Sequence, residues 1–205
     1  AYKPIFRSFN WNNTGLAMTK KTDQRRMREP VREEFNDAQR KVFDAIVAGP
    51  RGSVPGPLAA WLPRPELMDR AQRLGEYTRY QTSLSRQISE LVVLIVARFW
   101  GAEFEWWAHK PMAIEAGLSP EVVEQIRLGR VPVFNDSDLA TVYEFAIRLL
   151  ENREIDDSLF NRTKDSVGEG GVVDLVGILG YYSLVSFTIK TFRVPLPEGA
   201  SEELL

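Results

Sequence analysis

Apolar residues recur at helical spacing along most of the chain. Phe35, Ala38, Val42, Ile46 and Val47 form one stripe, ended by Gly49-Pro50. Gly49 to Pro57 holds too many breakers for a helix or a central strand and reads as a loop. After Pro65, helical spacing returns with Leu67, Met68, Ala71, Leu74 and Tyr77. The next segment, Ser85 to Trp100, is apolar on nearly every side from Leu91 to Ala97, which predicts a helix at the middle of the fold. Gly101 separates it from another helix that starts near Ala102 to Glu105; Pro111 interrupts the hydrogen-bond ladder there and predicts a kink or altered turn that exposes His109. Ser119-Pro120-Glu121 supplies a cap, a first-turn proline and a first-turn acid for a helix to Leu128. Asp136 or Ser137 opens another through Leu149, Asp156 or Asp157 opens a short one, and Val172 to Phe192 closes the set. No alternating strand pattern of useful length and no tandem repeat of short period occurs. The expected class is all-α, with roughly seven or eight helices.

Ahead of these helices, residues 1–17 carry Tyr2, Phe6, Phe9 and Trp11 without acidic residues or a clean period. Lys20, Lys21, Arg25, Arg26 and Arg28 follow as a short basic cluster broken by Asp23, Glu29, Glu33 and Glu34, which a solvated face explains. The expected organisation is an arm over residues 1–34 and one helical domain over 35–205. Composition changes this picture little: 44% hydrophobic and 26% charged residues suit a globular chain with a sizeable core. A net charge of −2 gives no general attraction to nucleic acid or anionic membranes, so neither is an expected partner. Zero cysteines exclude disulfides, thiolate metal sites and a thiol redox cycle on this chain. The first thirty positions lack a secretory pattern, so the expected location is the cytoplasm. Val172 to Phe192 approaches the length of a membrane span, but Asp174, Lys190, its glycines and its polar hydroxyls favour a buried helix.

The candidate chemistry centres on His109, the one histidine, and on Glu105 four residues before it. On a helix these share a face, and a carboxylate beside an imidazole fixes its tautomer and keeps it charged. The same spacing arises by chance in a chain with 28 acidic residues, where it would add only a few tenths of a kcal/mol to a helix. Free N–H groups at the start of that helix favour an anion. Glu90 is either an acid that orients His109 or simply a helix-opening acid. Trp106 and Trp107 flank the site; packing is the ordinary use of such rings, and Trp106 is a candidate substrate contact. Tyr181 and Tyr182 read mainly as packing, with a pocket hydroxyl as the lesser reading of either and Tyr182 the candidate substrate contact. No phosphate-cradling run exists, and one histidine without cysteine makes no structural zinc site, so neither cofactor nor metal is expected.

The intervals Glu90-x11-Ala102-x2-Glu105-x3-His109 resemble the Glu-x11-Cys-x2-Cys-x3-His motif of the alkylhydroperoxidase D branch of the carboxymuconolactone decarboxylase superfamily, with both cysteines absent. The decarboxylase branch is similar in another respect, a glutamate four before the histidine and a glycine eight after it, here Glu105, His109 and Gly117. Arg86 to Ala97 resembles the family's helix into the site, Ala116 to Glu121 its exit turn, and Val173 to Ser183 with Val194-Pro-Leu-Pro197 a family ending. The resemblance implies an alkylhydroperoxidase D-like helical fold that assembles as a trimer or hexamer. It also places a loop like that of Gly49 to Pro57 beside the substrate pocket, which makes Arg51 a candidate anion contact. The implied function is a cofactor-free acid–base enzyme on a small organic acid, lactone or carbonyl compound, of decarboxylase, lyase or isomerase type. His109 would move the proton, Glu105 would polarise it or itself act as acid, and Glu90 would support them. The alternatives are an oxidoreductase of the peroxidase branch and a non-catalytic oligomeric binding protein. Against the first, neither alanine nor glutamate replaces a thiolate nucleophile.

Overall fold

Local capping starts most of the helices. In the computed structural model, which describes residues 25–204, Asn36 and Gln39 form a reciprocal capping box for α1 (Asp37–Ala48). Ser85 caps α4 (Arg86–Trp100), Ser119 caps α6 (Pro120–Arg127), Asp136 caps α7 (Ser137–Asn152) and Asp156 caps α8 (Asp157–Phe192) through bonds from backbone N–H groups to their side chains. The remaining elements are α2 (Gly56–Ala59), α3 (Pro65–Tyr80), α5 (Glu103–Glu115) and a 3-10 turn at Arg32–Glu34. The described residues form no strand.

The middle of the fold is α4, buried continuously from Glu90 to Ala97 and packed against α5, α6, α7 and α8. Leu91 and Leu94 are wholly inaccessible, each worth about 1.5–3 kcal/mol over an exposed position. The second long element, α8, packs on α3, α4 and α7 with Leu175, Ile178, Leu179 and Val185 inward. It is apolar and long enough to cross a membrane, yet most of its apolar window is buried inside the protein.

Three local expectations are corrected and one is refined. A short helix, α2, begins within the stretch read as loop, because Gly56 and Pro57 occupy first-turn positions where proline loses no bond. On α3 the buried face is Met68, Ala71, Gln72, Gly75 and Thr78, leaving Leu67, Leu74 and Tyr77 outside. The separate helices expected from Asp156 and from Val172 are both present within α8, which breaks at Gly168, whose φ of 77° and ψ of 167° are non-helical and readily adopted only by glycine, so the second begins a few residues before Val172. Finally, α5 runs through Pro111, and His109 faces inward at 3% exposure. Pro111 has no N–H to donate to the Trp107 carbonyl, which is the one ladder bond the helix gives up there.

The expected arm lies outside the described residues up to position 24, including Lys20 and Lys21 of the basic cluster. From residue 25 the chain lies along the end of α8: the Arg26 N–H donates to the Phe192 carbonyl and its guanidinium to that of Thr191. Arg25 pairs with Glu29 and Arg28 with Glu34, so these charges neutralise one another.

Candidate functional site

Gly101 has a φ of 61°, and this left-handed residue turns the chain sharply between α4 and α5. The Ala102 N–H closes the turn on the Ala97 carbonyl at 2.8 Å. The two helices therefore lie side by side, which brings Glu90, in the second turn of α4, against His109 of α5. Oε2 of Glu90 is 2.7 Å from Nδ1 of His109, and Oε1 of Glu105 is 3.1 Å from Nε2. All three side chains are buried. Burial pulls the imidazole pKa down, but the contacts with Glu105 and Glu90 and their charges outweigh it and hold His109 at about 9. A ring with a carboxylate at each nitrogen donates from both, so His109 is an imidazolium at neutral pH.

A cavity of about 60 Å³ opens on one side of this triad. Glu105 and His109 line it, facing Arg51, Arg79, Tyr181 and Tyr182, with Leu58, Phe104 and Val185 among its apolar walls. The Tyr182 ring stands edge-on to the imidazole, 5.2 Å between centroids. Burial pushes the Tyr182 hydroxyl well above its usual pKa, helped by Glu105, and pushes Tyr181 up to about 12 against the opposing charge of Arg51. Both therefore stay neutral donors. Nε and Nη2 of Arg51 and the Tyr181 hydroxyl are buried side by side, with no other group among the described residues in hydrogen-bonding geometry to them. Such groups cost about 1–3 kcal/mol each when left unmatched, which marks the cavity as built for something polar. Gly75 makes room for them: a Cβ there would sit 2.1 Å from the Tyr181 oxygen and 2.7 Å from Nη2 of Arg51. Among the described residues Arg79 has no carboxylate partner; its Nη2 lies 3.2 Å from Sδ of Met112 and its guanidinium stands 5.4 Å over the Tyr80 ring.

Of the residues singled out in the sequence, Glu105, His109, Arg51 and Tyr182 meet at this cavity, and Glu90 stands behind His109. Trp106 does not line it. Its position on α5 turns the indole the other way, where Nε1 donates to Glu203 at 3.1 Å, so the substrate contact expected of it is corrected. The two glutamates engage opposite nitrogens of one ring rather than converging on a point, and no cluster suited to a metal ion occurs among the described residues. Sequence reasoning missed Arg79 and read the Tyr181 hydroxyl mainly as packing. The signal was Gly75: a glycine on the buried face of an amphipathic helix marks a close approach, and Arg79 lies one turn beyond it. A larger groove of about 360 Å³, lined by Met27, Phe35, Leu62, Phe192 and Val194, contains neither His109 nor either cavity arginine.

Two solved structures share this fold across most of both chains. An uncharacterised peroxidase-related protein from Ralstonia eutropha, with an alkylhydroperoxidase core, has a TM-score of 0.71 at 14% identity, covering 85% of this chain and 93% of its own. An uncharacterised peroxidase-related protein from Silicibacter sp. gives 0.67 at 16%, covering 87% and 94%. No curated protein matches the sequence. The family pattern of carboxymuconolactone decarboxylase matches residues 65–146, which run from the start of α3 into α7 and include Glu90, Glu105 and His109. Residues 65–146, which hold the site helices, thus match the carboxymuconolactone decarboxylase family, and the chain shares the helical fold of these peroxidase-related structures while carrying no cysteine.

Proposed function

We propose that the chain is a cofactor-independent acid–base enzyme of lyase or isomerase type, acting on a small organic acid, lactone or carbonyl compound. One observation carries the reading: a buried imidazolium held between Glu90 and Glu105 faces a cavity containing two guanidinium groups that have no carboxylate partner among the described residues. In a decarboxylation, the bond to the departing carboxylate breaks, its electron pair stays on carbon as an enolate, and a proton must then arrive. Arg51, Arg79 and the tyrosine hydroxyls stabilise the negative charge, worth about 2.7–4 kcal/mol for one well-placed donor. Both nitrogens of His109 are engaged, so the group that touches substrate is Glu105. His109 passes its Nε2 proton to the Glu105 carboxylate, which delivers it to the carbon, and the ring then regains a proton from water while Glu90 holds it in place. A positioned acid of this kind contributes about 10²–10⁴ in rate. At about 60 Å³ the cavity takes only a few heavy atoms, so a larger acid requires Arg51 and its loop to swing outward.

The reading includes a cytoplasmic homo-oligomer, a trimer or hexamer; Val131 and Val133, 67% and 86% exposed, are surfaces an assembly would cover. A peroxidase reading draws on what the structural neighbours are called, but positions 102 and 105 hold alanine and glutamate. The test is turnover of a panel of lactones and β-keto acids by the native protein, His109→Asn, Glu105→Gln and the double variant across pH 5 to 9. Loss of most activity in each single variant, with the double little worse, supports a coupled acid–base unit. Activity that persists in Glu105→Gln removes the proposed proton donor, and absence of turnover with tight ligand binding leaves a binding protein.

A further inference from the structure

We propose that the outer face of α8 is a two-fold contact with a second copy of this chain, the two helices crossing antiparallel at Gly180. The surface residues of α8 between Val173 and Phe187 read Val173, Val176, Gly180, Leu184, Phe187, at steps of three, four, four and three. Every one is apolar and exposed, with Val173 at 69%, Val176 at 50% and Phe187 at 47%. The run extends roughly 21 Å along the helix. It is a palindrome about Gly180. An antiparallel partner crossing there sets Val173 of one copy against Phe187 of the other, Val176 against Leu184, and glycine against glycine. An isologous interface requires this kind of self-complementarity.

Two further observations point the same way. Gly180 is not explained by the fold: a Cβ there would meet no atom within 4 Å, yet glycine within a helix costs about 1 kcal/mol relative to alanine. A close approach from outside the chain gives the glycine a reason. Charge then completes the pattern, since Glu169 and Lys190 stand exposed at the two ends of the stripe. An antiparallel pair brings Glu169 of each copy toward Lys190 of the other. The Glu169 side chain is 82% exposed and only 3.9 Å from Lys164 at its nearest, while Lys190 spends one N–H on the Gly101 carbonyl. At the Phe187 end the contact widens, because that ring packs on Trp100 at 4.6 Å and Trp100 on Phe99 at 5.0 Å. The inference goes beyond the acid–base reading and does not depend on it. A hexamer contains such a two-fold contact, and a trimer does not.

The absence of native cysteine makes the test clean. Gly180→Cys places a thiol on the proposed axis, where two Cα atoms come within disulfide range of about 4.4–6.8 Å. Mild oxidation should convert this variant to covalent dimer. Val173→Cys alone should remain uncoupled, because its two copies lie roughly 21 Å apart, but should couple when refolded together with Phe187→Cys. In sedimentation the native chain should have an even multiple of 23.4 kDa. Leu184→Glu should halve that mass with an unchanged circular dichroism spectrum. A native monomer, or a folded Gly180→Cys protein that does not couple, overturns the proposal. So does flotation of the native chain with phosphatidylcholine–phosphatidylglycerol vesicles that Leu184→Glu abolishes, which would assign the face to a membrane.

Discussion

Burying an imidazolium costs several kcal/mol unless it is paired, and at His109 the pairing is double. Glu90 and Glu105 approach from different helices, so neither a local helix bond nor an interhelical contact alone maintains the charge. The raised pKa has a thermodynamic sign. A group whose folded value lies above its unfolded value adds stability that is complete below about 6.5 and is lost as pH rises through about 9. The native protein should therefore lose melting temperature between those limits, whereas His109→Gln, lower at neutral pH, should lose none of it over that window. Parallel curves for the two proteins would show that the imidazole does not charge in the fold. Glu105 and His109 were legible because four residues is a helical interval. Glu90 was legible as a partner only through the family spacing, since nothing in local sequence brings residues 19 apart into contact. Arg79 was not, and Tyr181 mainly as packing, because a cavity is defined by what converges on it from α3, α5 and α8.

At the scale of elements, a single carboxylate joins three segments. Asp174, buried on α8, accepts from the Tyr77 hydroxyl of α3 at 2.7 Å and from both the N–H and the hydroxyl of Ser83 at 2.8 and 2.7 Å. Burial raises its pKa, but these donors outweigh it and hold the acid below the usual carboxylate value. They tie the turn between α3 and α4 to α8, and so fix the height at which Gly75 and Arg79 meet Tyr181. Asp174→Ala should cost roughly 1–3 kcal/mol for the donors it strands, measured by urea unfolding. Gly75→Ala should have a different signature: a Cβ 2.1 Å from the Tyr181 hydroxyl displaces the cavity wall, so ligand affinity should fall more than stability. Equal losses in the two would mean that Gly75 serves packing alone. The sequence marked Asp174 as an anomaly in an apolar run, without showing its partners 97 and 91 residues away. It also placed the stripe of α3 one step off, because Leu67, Leu74 and Tyr77 satisfy helical period as well as the face that is buried.

Across the whole molecule, the C-terminal residues close the outer side of the site helix. The Glu203 carboxylate accepts from Trp106 at 3.1 Å and Lys110 at 2.6 Å, and its carbonyl accepts from Arg127 at 2.8 Å. The N–H groups of Glu203 and Leu204 donate to the two oxygens of Glu103 at 2.9 and 2.8 Å. Trp106 and Lys110 directly follow Glu105 and His109 on α5, so the strap grips the outer surface of the helix whose inner surface carries the proton. No sequence signal announces it, because all these bonds span far more chain than any local period does. The Lys110 pair is half-exposed and worth under about 1 kcal/mol by itself. Trp106 is 1% exposed, and its indole N–H has Glu203 as its acceptor. Glu203→Ala should thus cost more than Lys110→Met, roughly 1–3 kcal/mol against less than one. The difference should shrink on acidification, because the contacts of Glu203 with Lys110 and Trp106 hold its pKa below the usual value, and their stabilisation is lost as pH falls through that value. Urea midpoints for both variants at pH 7 and pH 3 measure this. Equal losses at pH 7 would show that the strap is held by surface charge, leaving α5 fixed by its packing on α4, α6 and α8.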